Sequence, residues 1–234
     1  MRVLLIGHGR MGKLVESLAP EYDAVIAGVV TKHDREAIMP EGGADDVDVA
    51  IDFTVADAVP DNLPLLARRG VNVVIGTTGW TVHEPALRAL VHQHGVGVLA
   101  AANFSLGISL FQLVVEEAAR RFSPHDAFGA WIHELHHSAK KDAPSGTALQ
   151  LKTAMRRAGY SRPIDVSSTR AGSIPGTHTV GFDGASDTIT LTHTVRDRAV
   201  FARGALEAAR WLKGRRGWFT VRDMLETMVR NDGS

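Results

Sequence analysis

The chain has 234 residues, 44% hydrophobic and 22% charged, with 26 Lys plus Arg balanced by 26 Asp plus Glu. That is ordinary globular composition, enough for one or two domains with a real core, and the charge balance gives no electrostatic case for nucleic acid or an acidic membrane. Cysteine is absent, which removes disulfides, thiolate metal sites and cysteine nucleophiles and is compatible with a cytoplasmic location. The first apolar run, "MRVLLIGHG", is too short and too glycine-broken for a signal peptide. No stretch approaches the ~18 apolar residues of a membrane helix.

Val3 to Ile6 are apolar without alternation, as in a strand buried on both faces of a parallel sheet. "GHGRMG" follows, placing Gly7, Gly9 and Gly12 at G-x-G-x-x-G spacing, and "KLVESLAP" reads as a helix with Leu14, Val15 and Leu18 on one face. In a strand–glycine–helix unit the three glycines allow a tight turn, close approach of a pyrophosphate and helix–strand packing. The helix start offers free N–H groups to the phosphates. Further strands are expected at 24–30, 47–53, 71–75 and 96–101, with helices in "PDNLPLLARRG" and "HEPALRALVHQHG" between the later ones. This alternation predicts a doubly wound parallel sheet. Four strand ends carry small or polar clusters, Thr31-Lys32, Asp52-Phe53-Thr54, "GTTGW" (76–80) and "AANFS" (101–105), at the edge where such sheets bind ligands.

An NAD site usually has an acid about 20 residues past the glycines, to bind the ribose diol. Here Thr31-Lys32-His33 stands in that place, and Asp34 is the first acid. A cation at Lys32 could hold a 2′-phosphate, so NADPH is favoured over NADH.

After Ser105 the pattern changes. "LGISLFQLVVEEAARRF" is an amphipathic helix. In "DAFGAWIHELHH", Phe128, Ile132, Leu135 and Ala139 fit a helix, whereas Trp131, His133 and Leu135 would share one face of a strand. Periodicity leans to the helix, which would place His133 and His137 one turn apart as an H-E-x-x-H zinc site needs. Lys140 and Ala143 stand where a longer zinc motif would have Gly and His, no third ligand suggests itself, and two lysines lie close by. No metal is therefore expected. Next, Pro144 blocks a helix before it, Ser145 is a good N-cap, and "GTALQLKTAMRRAG" runs as a helix to Gly159. The start of that helix, with Gly146 and Thr147, can hold an anion beside His136, His137 and Lys140. Such a group suits a small carboxylate substrate that is protonated during reaction.

The segment "ELHHSAKKDAPSGTA" (134–148) resembles the E-x-H-H-x-x-K-x-D-A-P-S-G-T-A pattern of the 4-hydroxy-tetrahydrodipicolinate reductases, also called dihydrodipicolinate reductases. "GRMG", "DFT", "GTTG", "AANFS", "RAG", "HTV" and "FARGALEAARWL" extend the resemblance along the whole chain in order. It implies an α/β protein: an N-terminal Rossmann dinucleotide-binding domain (1–104), a C-terminal mixed α/β open-sheet domain for substrate and oligomerisation (105–198), and a segment (199–234) returning to the first. It also implies a homotetramer that reduces a cyclic unsaturated dicarboxylate with NAD(P)H. Carried over residue by residue, His136 becomes the general acid and Lys140 its partner, with His137, Gly146 and Thr147 on the substrate. Gly7, Gly9, Arg10 and Met11 match the pyrophosphate loop, and Gly76, Thr77, Thr78, Ala101, Ala102, Asn103 and Phe104 the nicotinamide side. The family also puts the histidine pair at a strand end. Two departures stand out: "GHGRMG" is one residue shorter than the commoner loop, and Thr31 replaces the acid many members carry after the second strand. A non-catalytic dinucleotide sensor and a zinc peptidase are the competing readings.

Overall fold

The apolar run after Met1 forms β1 (Arg2–Ile6), and the glycine turn leads into α1 (Arg10–Leu18). The chain is seen here as a computed structural model that describes residues 1–32 and 47–231. β2 (Val25–Val30), β3 (Val49–Asp52), α2 (Val59–Arg68), β4 (Asn72–Ile75), α3 (Glu84–His94) and β5 (Gly97–Ala100) follow. The strand–helix alternation holds, with strands trimmed at their ends. Every residue of β3 and β4 is buried, as parallel strands covered on both faces should be. α1 begins three residues earlier than the apolar pattern indicates, because Gly9 takes the N-cap position and Arg10, Met11 and Gly12 form the first turn.

α4 (Leu106–Phe122) opens the second half. It is followed by β6 (Gly129–His136), α5 (Gly146–Arg157), β7 (Ile164–Arg170), β8 (Thr177–Asp183) and β9 (Thr188–Thr194). The helical alternative for residues 126–137 is overturned. β6 pairs with β7 in parallel and β8 in antiparallel register, giving the order β7-β6-β8-β9. Ala130, Ile132 and Glu134 point inward. Ala130 and Ile132 join Val115 and Ala119 of α4 and Leu151 and Met155 of α5 in one apolar cluster. Both helices thus cover one face of this mixed sheet, while Trp131, His133 and Leu135 lie on the other, since successive side chains alternate.

The chain then returns through α6 (Ala199–Leu212), β10 (Gly217–Phe219) and α7 (Val221–Asn231). β10 pairs with β5, completing a parallel sheet of order β10-β5-β4-β3-β1-β2. α6 packs on α1 and over β3, β4 and β5. The structure divides into two compact units, Met1–Leu106 with the segment from Ala199, and Gly107–Arg198. Among the described residues no helix is long and apolar enough to cross a membrane.

Candidate active site

In the first unit the glycine turn brings strand and helix into close contact. Gly7 has φ +91°, and a Cβ there would lie 2.5 Å from the Phe53 carbonyl oxygen. A Cβ on Gly12 would come within 2.2 Å of the Gly7 carbonyl oxygen, so only glycine lets α1 start this close to the strand. Gly9 faces open space. Arg10 and Met11 belong to the first turn of α1, where backbone N–H groups have no partner within the helix. These donors and the helix dipole suit a pyrophosphate. A cavity of about 480 Å³ at the ends of β1 and β2 is lined by Gly7, Thr31, Lys32 and Val55 among others. Asp34 lies outside the described residues. His8 turns back on the helix, its Nε2 2.7 Å from the Glu16 carboxylate. The residues present therefore fit NAD(P)H, which when bound supplies a hydride.

The other nucleotide-side candidates divide into two groups. Thr78 and Ala102 are exposed, while Ala101 and Asn103 are half-buried. Thr77 is buried, and its hydroxyl donates to Asp52 Oδ1 at 2.9 Å. The same Asp52 carboxylate accepts from Thr54 and Asn62 as well, tying the ends of β3 and β4 to α2. Phe104 is buried edge-on to Phe53, and its carbonyl lies so close to Gly204 of α6 that no Cβ would fit there. Gly76 is required for packing, since a Cβ would enter the Phe53 ring. Thr77, Phe104 and Gly76 thus have structural reasons of their own.

In the second unit, cross-strand pairing collects polar groups at the inward end of the sheet. Glu134 stands opposite Ser168 and His178, and His136 opposite Arg170. Glu134 is wholly buried. Its Oε1 accepts Arg170 Nη2 at 2.6 Å and the Ser145 N–H at 3.2 Å. Its Oε2 accepts Arg170 Nη1 at 3.0 Å and lies against His136 Nδ1. Burial would raise its pKa, but the donors of Arg170, Ser168, His136 and Ser145 outweigh burial and hold it at about 2. His136 is lowered, chiefly by burial, with Glu134 pulling the other way and Lys140 and Arg170 reinforcing the fall. Lys140 Nζ donates to Asp142 Oδ1 at 2.8 Å. Ser145 caps α5, its Oγ accepting the Ala148 N–H at 3.2 Å, and lies 3.1 Å from His178 Nε2. Burial and the nearby His136 lower His178 to about 4, so it is neutral at ordinary pH. Gly146 and Thr147 form the first turn, with open space where a Gly146 side chain would be. The helix ends as expected, with Gly159 at φ +95°. His136, His137, Lys140, Gly146 and Thr147 are therefore brought to one end of this unit.

The zinc geometry disappears with the helix. On β6, His133 faces away from Glu134 and its Nε2 lies 3.0 Å from the Thr169 hydroxyl. Glu134, His136 and His178 do place one ligand atom each within 4.8 Å of one another. The Glu134 carboxylate is already engaged by Arg170, and a dication there would sit beside a guanidinium, so the donor set does not suit a metal.

Two family profiles match the chain: the N-terminal part of dihydrodipicolinate reductase over residues 1–104 and its C-terminal part over 107–225. The chain belongs to the dihydrodipicolinate reductase family. A 4-hydroxy-tetrahydrodipicolinate reductase of Stenotrophomonas maltophilia is 40% identical over 97% of this chain and 98% of its own length. Another from Christiangramia forsetii is 33% identical over 99% and 100%. The dipicolinate-bound dihydrodipicolinate reductase of Paenisporosarcina sp. TG-14 shares the fold at a TM-score of 0.78, with 21% identity over 94% of this chain and 97% of that one.

Within the dihydrodipicolinate reductase motif, sequence reasoning left Glu134 without a role and gave none to Arg170 in "RAG" or His178 in "HTV". The available signal was an acid in an otherwise apolar inward row, two residues before the histidine. Gly176 was missed too: its φ is +140°, and a Cβ there would lie 3.2 Å from His136 Nε2.

Proposed function

We propose that the protein reduces 4-hydroxy-tetrahydrodipicolinate to tetrahydrodipicolinate, taking hydride from NAD(P)H and a proton from His136. The NAD(P)-dependent reductase class and its place in lysine and diaminopimelate biosynthesis follow from family membership over both halves of the chain. The observation that carries the residue assignment is the gathering of the His136 imidazole and the Lys140 ammonium beside the open first turn of α5. Hydride addition to a conjugated C=C–C=N unit, after loss of water, leaves an electron-rich neighbouring carbon that must take a proton. His136 supplies that proton. Lys140 and the N–H groups at Gly146 and Thr147 hold substrate carboxylates, with His137 alongside. The Asp142 carboxylate stands on Lys140 and the Gly146 N–H, and this supports both as holders of a substrate carboxylate. The dicarboxylate's charge favours the imidazolium, so His136 gains its proton as substrate arrives.

Freshly prepared 4-hydroxy-tetrahydrodipicolinate should cause oxidation of NADPH, followed by loss of its absorbance, with and without chelator. A silent assay with intact cofactor binding would leave the dinucleotide sensor instead. Lys32 at the rim of the first-unit cavity supports NADPH over NADH. In that assay kcat/KM for NADPH should exceed that for NADH, and Lys32→Glu should reverse the order. A wild-type preference for NADH refutes the assignment of Lys32.

The homotetramer belongs to the same reading. It is supported by the second sheet, whose Trp131, His133 and Leu135 face has no helix of its own unit over it. A cytoplasmic setting likewise accords with a chain lacking cysteine.

A further inference from the structure

We propose that Glu134 and Arg170 are a positioning pair for His136: the carboxylate keeps the imidazole protonated at Nδ1, so that Nε2 carries and releases the catalytic proton, and the guanidinium moderates how tightly that proton is held. This rests on His136 being the proton donor. An ionised carboxylate can only accept hydrogen bonds. Glu134 is ionised at any working pH, because four sets of donors surround it in a buried place. Whatever ring nitrogen faces it must therefore carry a hydrogen, and that nitrogen is Nδ1. Nε2 is left as the exchanging atom. The absence of a side chain at Gly176 keeps the space beside Nε2 clear.

The charges facing His136 come from every neighbouring element. Glu134 lies on its own strand, Arg170 on β7, His178 on β8, and Lys140 and Asp142 on the following loop. His178 is neutral through burial, and Asp142 is paired with Lys140. Glu134 thus strengthens the hold on the proton, while Arg170 and Lys140 weaken it. Arg170 also donates to the Asp142 carbonyl at 2.6 Å, so the pair anchors the loop that carries Lys140. An ion pair serving only to join β6 to β7 would change stability or turnover without moving the protonation of His136.

The test is the pH profile of kcat for full-length wild type, Glu134→Gln and Arg170→Met. Activity requires protonated His136, so it falls as pH rises through the pKa of that group. In Glu134→Gln this basic limb should move down by about one pH unit, and in Arg170→Met up by about one, with KM for NADPH unchanged in both. Limbs that stay in place while turnover falls would overturn the positioning role. His136→Gln in the same assay separates the two claims, since normal turnover there would overturn the proton-donor reading itself. Should either variant fail to fold, solid-state NMR of wild type labelled with ¹⁵N-histidine decides. Neutral His136, identified by the signal missing in His136→Gln, should be protonated at Nδ1, and an Nε2-protonated ring would overturn the proposal.

Discussion

His136→Gln should lower kcat by roughly 10²–10⁴-fold, the usual contribution of a positioned general acid, while the affinity for NADPH stays near that of wild type. The amide cannot carry a proton to the nascent carbanion, although it can still fill much of the space beside Glu134. Cofactor binding is spared because every residue assigned to the nucleotide lies in the other unit. Steady-state kinetics with a parallel titration of NADPH fluorescence checks both halves. Near wild-type turnover would remove His136 from the chemistry, and a large loss of NADPH affinity would show that the substitution reaches beyond its own unit.

Gly12→Val should raise the Kd for NADPH by at least about 10–100-fold. The Cβ alone would lie 2.2 Å from the Gly7 carbonyl oxygen, and backbone on both sides of that contact cannot rotate away as a side chain could. Either α1 moves off the turn or the turn opens. In both cases the N–H groups of Arg10 and Met11 leave the place where a pyrophosphate would meet them. Forcing such a contact costs typically 1–3 kcal/mol, and each 1.4 kcal/mol lost to binding is about tenfold in affinity. Gly9→Ala is the matched control: its Cβ would meet nothing within 4 Å in the protein, so folding should be little changed. Calorimetry would report the folding cost, and fluorescence titration the binding loss. Unaltered NADPH affinity in Gly12→Val would mean that the glycine turn is not the pyrophosphate site.

Much of this protein could be read locally. The parallel sheet was legible because strands buried on both faces must be continuously apolar, and Val3–Ile6, Val49–Ile51 and Val73–Ile75 are so. The glycine turn was legible because steric exclusion acts over five residues. The α5 cap was legible because Ser145 satisfies an N–H only three residues on. Residues 126–137 were not, since Phe128, Ile132, Leu135 and Ala139 run at helical spacing across them while Trp131, His133 and Leu135 alternate as in a strand. Pairing with β7 and β8 decided the matter, and those partners lie tens of residues away.

The same distance hid the roles of single residues. Thr77 and Phe104 read as cofactor contacts from the motif, and their structural work, on Asp52 and at the close approach of Gly204, could not be read from it. Glu134 looked like the middle of a zinc motif until Arg170, 36 residues later, was seen to hold it. The sequence by itself determined which chemical groups are present and the short-range geometry of its turns and caps. Only the tertiary structure decided which of those groups meet, because strand pairing and burial are set by partners that local spacing does not encode.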